Sequence, residues 1–394
     1  MIGFIQQLQQ LQRRTPLGWL QLSKEKGRLL VALSGIAFAD VLMFMQLGFM
    51  NALFDSNTRL NRAIDADMIL LSPKARNTRS PSFFSRRRLY QAMDIPGVKS
   101  ADAMYINTIN WKNPQTRRET TVQVIGFDPD RPAFKLAEVN QQLDKIKLQD
   151  NVLFDRKPRG EYKDVLQVLE RGQTVETEIE RRTLTIAGLF TLGSSFGADG
   201  SVITSQENFL RLFPRRAVGS ISLGLVQLQP GYDSTQVAAA LESHLPDDVN
   251  VLTIEEFVKF ERDYWNKESP IGFIFSLGTV MAFVVGVVIV YQVLSTDVNA
   301  HLKEYATFKA MGYRNTYLLG VVFEEAIILA LLGFIPGIIL PLGLYRLAAN
   351  ATALPIYMTV SRAVFVLILT FVMCMISGAI ATRKLQSADP ADMF

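Results

Sequence analysis

Gly193-Ser194-Ser195-Phe196-Gly197 is the stretch whose residue types come nearest to covalent chemistry. By letter it is G-x-S-x-G, the turn that presents a serine nucleophile between a strand and a helix. That elbow needs a helix directly after the serine, and here Ala198-Asp199-Gly200 leads into Ser-Val-Ile-Thr, which has strand composition. It also needs a base. The chain has only two histidines, His244 and His301, far apart in sequence. The glycines therefore read as a loop. With one cysteine, Cys374, there is no Cys/His cluster of zinc-binding spacing. No G-x-x-x-x-G-K-[ST] phosphate loop is present either. The expectation is a non-catalytic chain with no cofactor-binding or metal-binding residues, so that the energy for any work it does comes from a partner.

A second group of residues is conspicuous for its surroundings. Asp40, Glu324 and Glu325 lie within or beside apolar runs. A charged side chain at the centre of a bilayer costs on the order of 3 kcal/mol on insertion scales. Asp40 falls near the middle of its run, where a hydrogen-bonded contact between helices or between two copies is expected. Glu324 and Glu325 open theirs, where anchoring at the interface or pairing with nearby cations is expected. No deeper titratable group in that run supports a proton relay. Gly333 and Gly337 form a GxxxG that allows close helix approach. Pro336 and Pro341 are expected to bend the same helix. Arg86-Arg87-Arg88 reads as a solvated helix face, or as a contact with a protein partner.

These residues need elements to position them. The chain has 394 residues, of which 49% are hydrophobic, and its mean hydropathy is +0.17. That is too apolar for an ordinary soluble protein of this length, yet the middle is too polar for a bundle of spans. About 20 apolar residues cross a bilayer. Four runs qualify, at 29–49, 271–294, 326–345 and 363–382. Arg13, Arg14, Lys24, Lys26 and Arg28 outweigh Glu25 before the first run, whereas basic and acidic residues balance between Asp55 and Glu268. The basic flank sets orientation, so both termini are predicted to be cytoplasmic and the large middle region external. Its net charge of zero makes nucleic acid an implausible partner. Having no cysteine, it must be held by its core.

Within that region two similar units are legible. DMILLS, SRRRLYQAMD and the segment after Pro96-Gly97 read as strand, helix and strand. ISLGLVQLQ, STQVAAALESHL and PDDVNVLT repeat the pattern, with Asp233 as helix cap. Between them TVQVIGF, TLTIAGLF and SVIT have strand composition. IEEFVKFERDYWNKES reads as a helix running straight into the second span. The expected fold class is an α+β membrane protein, with four transmembrane helices and a large α/β domain between the first and second.

STDVNAHLKEYATFKAMGYRNTYLLG, between the second and third runs, is charged and has helical spacing. Val298, Leu302, Tyr305 and Phe308 would share one apolar stripe. Such a helix suits either a lipid surface or a soluble protein partner.

With this segment the sequence resembles the MacB/FtsX/LolC-type ABC permeases. Their short cytoplasmic helix is the coupling helix that docks in a separate ATPase. Its pattern is an acidic residue, an apolar stretch, then Lys/Arg-Ala-hydrophobic-Gly. Lys303 followed by Glu304-Tyr305-Ala306-Thr307-Phe308-Lys309-Ala310-Met311-Gly312 matches it. The family's glutamate early in the third span, ahead of a glycine-rich run, matches Glu324 or Glu325 with Gly333 and Gly337. Its C-terminal tail matches Asp389-Pro390-Ala391-Asp392-Met393. The block from Arg14 through Ser56 is similar to the start of DevC-type permeases of cyanobacterial DevBCA-like exporters.

That resemblance implies a homodimeric inner-membrane permease in contact with membrane lipid. Its implied partners are a DevA-like ABC ATPase that binds ATP and Mg, a DevB-like membrane-fusion protein and a TolC-like outer-membrane channel, and the cargo it suggests is a glycolipid or other lipid-like compound. It implies a cytoplasmic amphipathic segment at 1–28, a first span with its extension at 29–54, and a periplasmic domain at 55–270. Porter-like parts at 55–106 and 220–270 would flank a β-rich insertion at 107–219. Spans at 271–294, 318–346 and 363–382, a coupling region at 295–317 and a tail at 383–394 complete it. Two other roles are compatible with the same pattern: FtsX-type activation of a periplasmic hydrolase, and lipoprotein release.

Overall fold

A computed structural model describes Trp19, residues 24–179 and residues 182–386, without the side chains of 303, 306, 309, 310, 315, 316, 318 and 383–386. Most of the expected segment 1–28, and the whole tail motif 389–393, lie outside the described residues. Two compact units are present. A sheet unit comprises Asn51–Gly272 with Ala348–Pro355, and a helical unit holds the apolar helices.

Among the described residues the strands are, in chain order, β1 (Met68–Leu71), β2 (Phe84–Ser85), β3 (Val98–Lys112), β4 (Glu119–Phe127), β5 (Asn151–Asp155), β6 (Val175–Ile179), β7 (Arg182–Phe190), β8 (Gly200–Ser205), β9 (Ser220–Ile221), β10 (Leu223–Leu228) and β11 (Asn250–Thr253). Nine form one mixed sheet, ordered β11-β1-β10-β3-β4-β8-β5-β7-β6, while β2 and β9 pair with each other. Successive side chains on a strand face opposite ways, and both faces here are apolar. Met68 and Leu70 enter one core, Ile69 and Leu71 the other.

The two strand-helix-strand units interlock: β1 lies between β10 and β11, and β10 pairs with β3, all antiparallel. The region between them makes no second sheet. Met104 of β3 pairs with both Leu223 of β10 and Phe127 of β4, so the sheet continues through one long strand.

The helices are α1 (Lys26–Ala63), α2 (Arg87–Met93), α3 (Ala137–Asn140), α4 (Leu143–Lys147), α5 (Lys163–Glu170), α6 (Gln206–Leu212), α7 (Ser234–His244), α8 (Ile254–Asp263), α9 (Pro270–Ala300), α10 (Leu302–Ala310), α11 (Asn315–Thr352) and α12 (Val360–Gln386). Leu89 and Ala92 of α2, Val165 of α5, Phe209 of α6 and Leu241 of α7 cover one face of the sheet. Leu60 of α1, Val139, Ile146 and Phe257 of α8 cover the other. Asp233 caps α7, accepting from Thr235 N at 2.7 Å and Gln236 N at 3.4 Å. Thr253 and Glu256 form a capping box on α8.

The helix expected to run straight into the second span does not. After α8 a π-turn covers Tyr264–Glu268, and Ser269 is extended at φ −81, ψ 133. Pro270 then opens α9, a position where its missing N–H costs nothing.

Among the described residues, four helical stretches are long and apolar enough to cross a membrane: Lys26–Ala63, Pro270–Ala300, Leu319–Thr352 and Val360–Thr382. Pro336 and Pro341 lie inside α11, which continues through both.

Candidate coupling segment and buried polar residues

The charged segment between the second and third spans is not one helix. Its first part, through Ala300, is the end of α9, and α10 is a separate short helix. Gly312 stops α10 at φ +90, a left-handed position suited to glycine. Tyr313 N donates back to Phe308 O at 3.1 Å across that glycine, the six-to-one bond of a Schellman cap. A physical reason for Ala-hydrophobic-Gly at this point is thus the helix stop itself.

The expected stripe is assembled. Tyr305 is buried with Val298 of α9 and Val322 of α11, and Leu302 and Phe308 pack against them. Phe308, Tyr313 and Tyr317 form an aromatic cluster, with Tyr313 and Tyr317 centroids 4.9 Å apart. Glu304, Met311, Gly312, Tyr313 and Arg314 are exposed. The side chains of Lys303, Lys309 and Ala310 are outside the described set. One face of α10 is therefore fixed to the helical unit, while Glu304 on the helix and Met311 and Tyr313 around its glycine stop are left exposed.

The buried carboxylates take different partners. Asp40 is fully buried in α1, and its Oδ1 lies 2.6 Å from the Thr370 hydroxyl of α12. It also rests on Gly337 of α11, where an added Cβ would come within 2.7 Å of the Asp40 Cβ. One turn earlier, Ile36 covers Gly333 in the same way. The GxxxG thus seats Ile36 and Asp40 side by side. Ala39 faces Gly286 of α9, and Ile289 faces Gly35, so α1 makes close contacts with three helices.

Glu325 is fully buried, while Glu324 is half-buried. Glu325 lies beside Asp297 of α9, itself buried. His301 Nδ1 is 3.7 Å from Asp297 Oδ2. Neither Glu325 oxygen has a hydrogen-bond partner among the described residues.

In the sequence Asp297 is one of the charges of the 295–320 segment; its burial beside Glu325 is not legible there, because it sits where the apolar run gives way to charge. Arg362 was missed for the same reason, just before the fourth run. It is buried, donating to Tyr345 Oη at 3.1 Å and Tyr357 O at 2.8 Å. Tyr345 in turn donates to Phe44 O of α1.

In the sheet unit the G-x-S-x-G letters form a turn. Ser195 Oγ accepts from Gly197 N at 3.1 Å and Ala198 N at 3.0 Å, and β8 follows instead of a helix. His244 is the exposed last residue of α7. Of the three consecutive arginines, Arg87 is exposed, whereas Arg88 Nε donates to Asp248 Oδ1 at 2.8 Å. The arginine run is thus only partly a solvated face.

A buried polar knot was invisible to sequence reasoning. Glu261 of α8 accepts from Thr78 N at 2.7 Å, Thr78 Oγ1 at 2.6 Å and Trp265 Nε1 at 2.7 Å. Asn61 Nδ2 of α1 donates to Thr78 Oγ1 at 3.0 Å. Burial pushes the Glu261 carboxyl above its ordinary range, against the bonds from Thr78 and Trp265. Asp155 is likewise pushed up by burial, against backbone bonds from Lys157, Leu192 and Gly193.

A folded α/β unit inserted between the first and second of four apolar helices, with a short amphipathic helix before the third, defines a multi-span membrane protein. Comparison with known families makes this specific. The MacB-like periplasmic core domain matches residues 29–244, and the FtsX-like permease C-terminal domain matches residues 276–390. The first covers more than half of the chain, which therefore belongs to the MacB/FtsX-type ABC permeases.

Among solved structures, the periplasmic region of MacB from Actinobacillus actinomycetemcomitans is similar at 11% identity and a TM-score of 0.35, over 50% of this chain and 94% of that one. The extracellular domain of the noncanonic ABC-type transporter YknZ from Gram-positive bacteria is similar at 12% identity and a TM-score of 0.31, over 48% of this chain and 100% of that one. A search of curated proteins gives no match.

Proposed function

We propose that this chain is the permease subunit of a DevC-type exporter, working as a homodimer in an inner membrane. A separate DevA-like ATPase binds ATP and Mg and docks on residues 303–312. Closure of the ATPase moves α10, the attached spans follow, and the external domain shifts against a DevB-like membrane-fusion protein leading to a TolC-like channel. Cargo enters from the periplasmic side, a glycolipid or similar lipid being the class the DevC resemblance suggests. The permease itself performs no chemistry, and Glu324 and Glu325 act at the cytoplasmic end of the spans. Both termini are cytoplasmic in this reading.

The observation that carries it is the two-faced packing of α10. Tyr305 and Phe308 are held against Val298 and Val322, while Glu304, Met311 and Tyr313 stay exposed. A helix resting on headgroups would point its apolar side at lipid; this one turns it toward its own spans.

The test is affinity purification of the full chain in mild detergent, with mass spectrometry of what accompanies it. The reading expects an ABC ATPase together with a membrane-fusion protein. An ATPase with a cell-wall hydrolase and no fusion protein would favour FtsX-type signalling. A second, related permease in equal amount would indicate lipoprotein release. Absence of any ATPase would overturn the coupling role of α10.

A further inference from the structure

The loop between β7 and β8, residues 191–199, carries the G-x-S-x-G letters, and the coupling reading gives it no role. Its backbone is held from several directions. Asp155, buried at the end of β5, accepts from Gly193 N at 2.7 Å and Leu192 N at 3.3 Å. Three arginines donate to its carbonyls: Arg59 of α1 to Leu192 O at 3.1 Å, Arg79 to Gly197 O at 2.6 Å, and Arg159 to Ser195 O at 2.9 Å. Gly193 has φ +91, and a Cβ there would meet Arg59 Nη1 at 2.1 Å, so glycine suits both the turn and the approach.

The same loop reaches the end of α11, within the sheet unit. Ser194 Oγ donates to Ala353 O at 2.9 Å, and Arg159 Nε donates to Thr352 O at 2.9 Å. Thr352 is the last residue of α11, and Ala353 follows at φ +55, a left-handed position disfavoured for any residue with a Cβ. The last carbonyls of a helix lack intrahelical donors. Here the donors come from residues 193 and 159 positions away in sequence, and a cation is set at the negative helix end. Arg159 is itself fixed by Asp199, Nη1 to Oδ1 at 2.9 Å.

We propose that loop 191–199 is a strap joining the α11–α12 connection to the β5 end of the sheet. Asp155, Ser194 and Arg159 are its positioning residues. Displacement of the α11 end then passes into the sheet through fixed hydrogen bonds. That ATP-driven motion uses this path rests on the permease reading; the strap itself does not.

The test is hydrogen exchange on the full chain in lipid nanodiscs, comparing wild type, Ser194→Ala, Asp155→Asn and the double variant. Ser194→Ala removes one hydroxyl, buried but making a single hydrogen bond to Ala353 O, and changes no other side chain; Asp155→Asn disturbs the loop at its buried root. Ser194→Ala is expected to raise exchange at residues 348–354 roughly five-fold, the scale of one neutral hydrogen bond. Asp155→Asn, more remote, is expected to raise exchange at 348–354 as well as at 191–199. The double variant should exceed Ser194→Ala little at 348–354, because the two act in series. If Ser194→Ala leaves 348–354 unchanged, or Asp155→Asn acts only on 191–199, the strap is overturned.

A second arm adds the co-purified ATPase with ATP and vanadate. Wild type should show a nucleotide-dependent change at 191–199 that Ser194→Ala loses, while the change at 302–317 persists in both. A retained change at 191–199 in Ser194→Ala overturns the strap as the load path. No change at 302–317 in wild type overturns the coupling reading instead, and the nucleotide-free comparison still decides the strap.

Discussion

At the scale of single residues, close approach between helices is decided by atoms that glycine lacks. A Cβ on Gly337 would lie within 2.7 Å of the Asp40 Cβ, whereas one on Gly343 of the same helix would meet nothing within 4 Å. Gly337→Ala is therefore expected to destabilise the detergent-solubilised chain by about 1–3 kcal/mol, the scale of overpacking. Gly343→Ala should be neutral or slightly stabilising, through helix propensity. Thermal unfolding of the two variants, followed by size-exclusion chromatography, separates them.

Glu261 gives a prediction with a sign. Its carboxyl is raised above the ordinary value of 4.5 by burial. An acid with a raised folded pKa keeps its proton in the fold while the unfolded chain has lost it. Between the two values the folded state binds more protons, so stability falls as pH rises through that window. Asp155 contributes in the same direction. Trp265 fluorescence during denaturant unfolding should show this decline upward from 4.5. In Glu261→Gln, which cannot ionise, the slope should be shallower.

Legibility at this scale was uneven. Asp40 stood out as a carboxylate in an apolar run, but its partner Thr370 lies 330 positions away and nothing local points to it. The Glu261 knot joins residues 183 apart through side chains common on any surface.

At the scale of elements, helix ends and strand alternation carried most of the sequence signal. β1, α2, β10, α7 and β11 all fall within segments whose periodicity and turn residues announced them. Pairing order did not follow, because nothing in an alternating strand names its neighbour; interlocking of β1 between β10 and β11 is a non-local choice. The break at Ser269 was missed because the helical pattern of α8 continues through Tyr264–Glu268, and only the backbone shows the π-turn. Gly312 is legible in the sequence as part of a family motif, whereas its physical role as a helix stop lies in its positive φ.

The α8 capping box belongs to this scale. Thr253→Ala removes the hydroxyl that accepts from Glu256 N at 3.3 Å, and is expected to cost about 1 kcal/mol. Exchange in the first turn of α8 should rise accordingly. Phe257→Ala, which empties a fully buried site in the same helix, should cost about 3–5 kcal/mol.

At the scale of the whole molecule, the chain combines a sheet unit with cores on both faces and a helical unit in which the short α10 stands between two spans. The class, a MacB/FtsX-type ABC permease, follows from family matches across residues 29–244 and 276–390. The direction of work, from an ATPase through α10 and the spans to the sheet unit, is the proposal that gives α10 its shape. Tyr305 and Phe308 hold the helix to the spans, while Met311 and Tyr313 are the exposed apolar side chains at its stop, Met311 being 61% exposed.

The most direct measurement is the ATP hydrolysis rate of the ATPase that co-purifies with the chain, in nanodiscs containing wild type or Met311→Asp. A charge at a desolvated docking contact is expected to lower the permease-stimulated rate on the order of tenfold, with the folded permease recovered in equal yield. An unchanged rate, with the ATPase still bound, would contradict docking through α10.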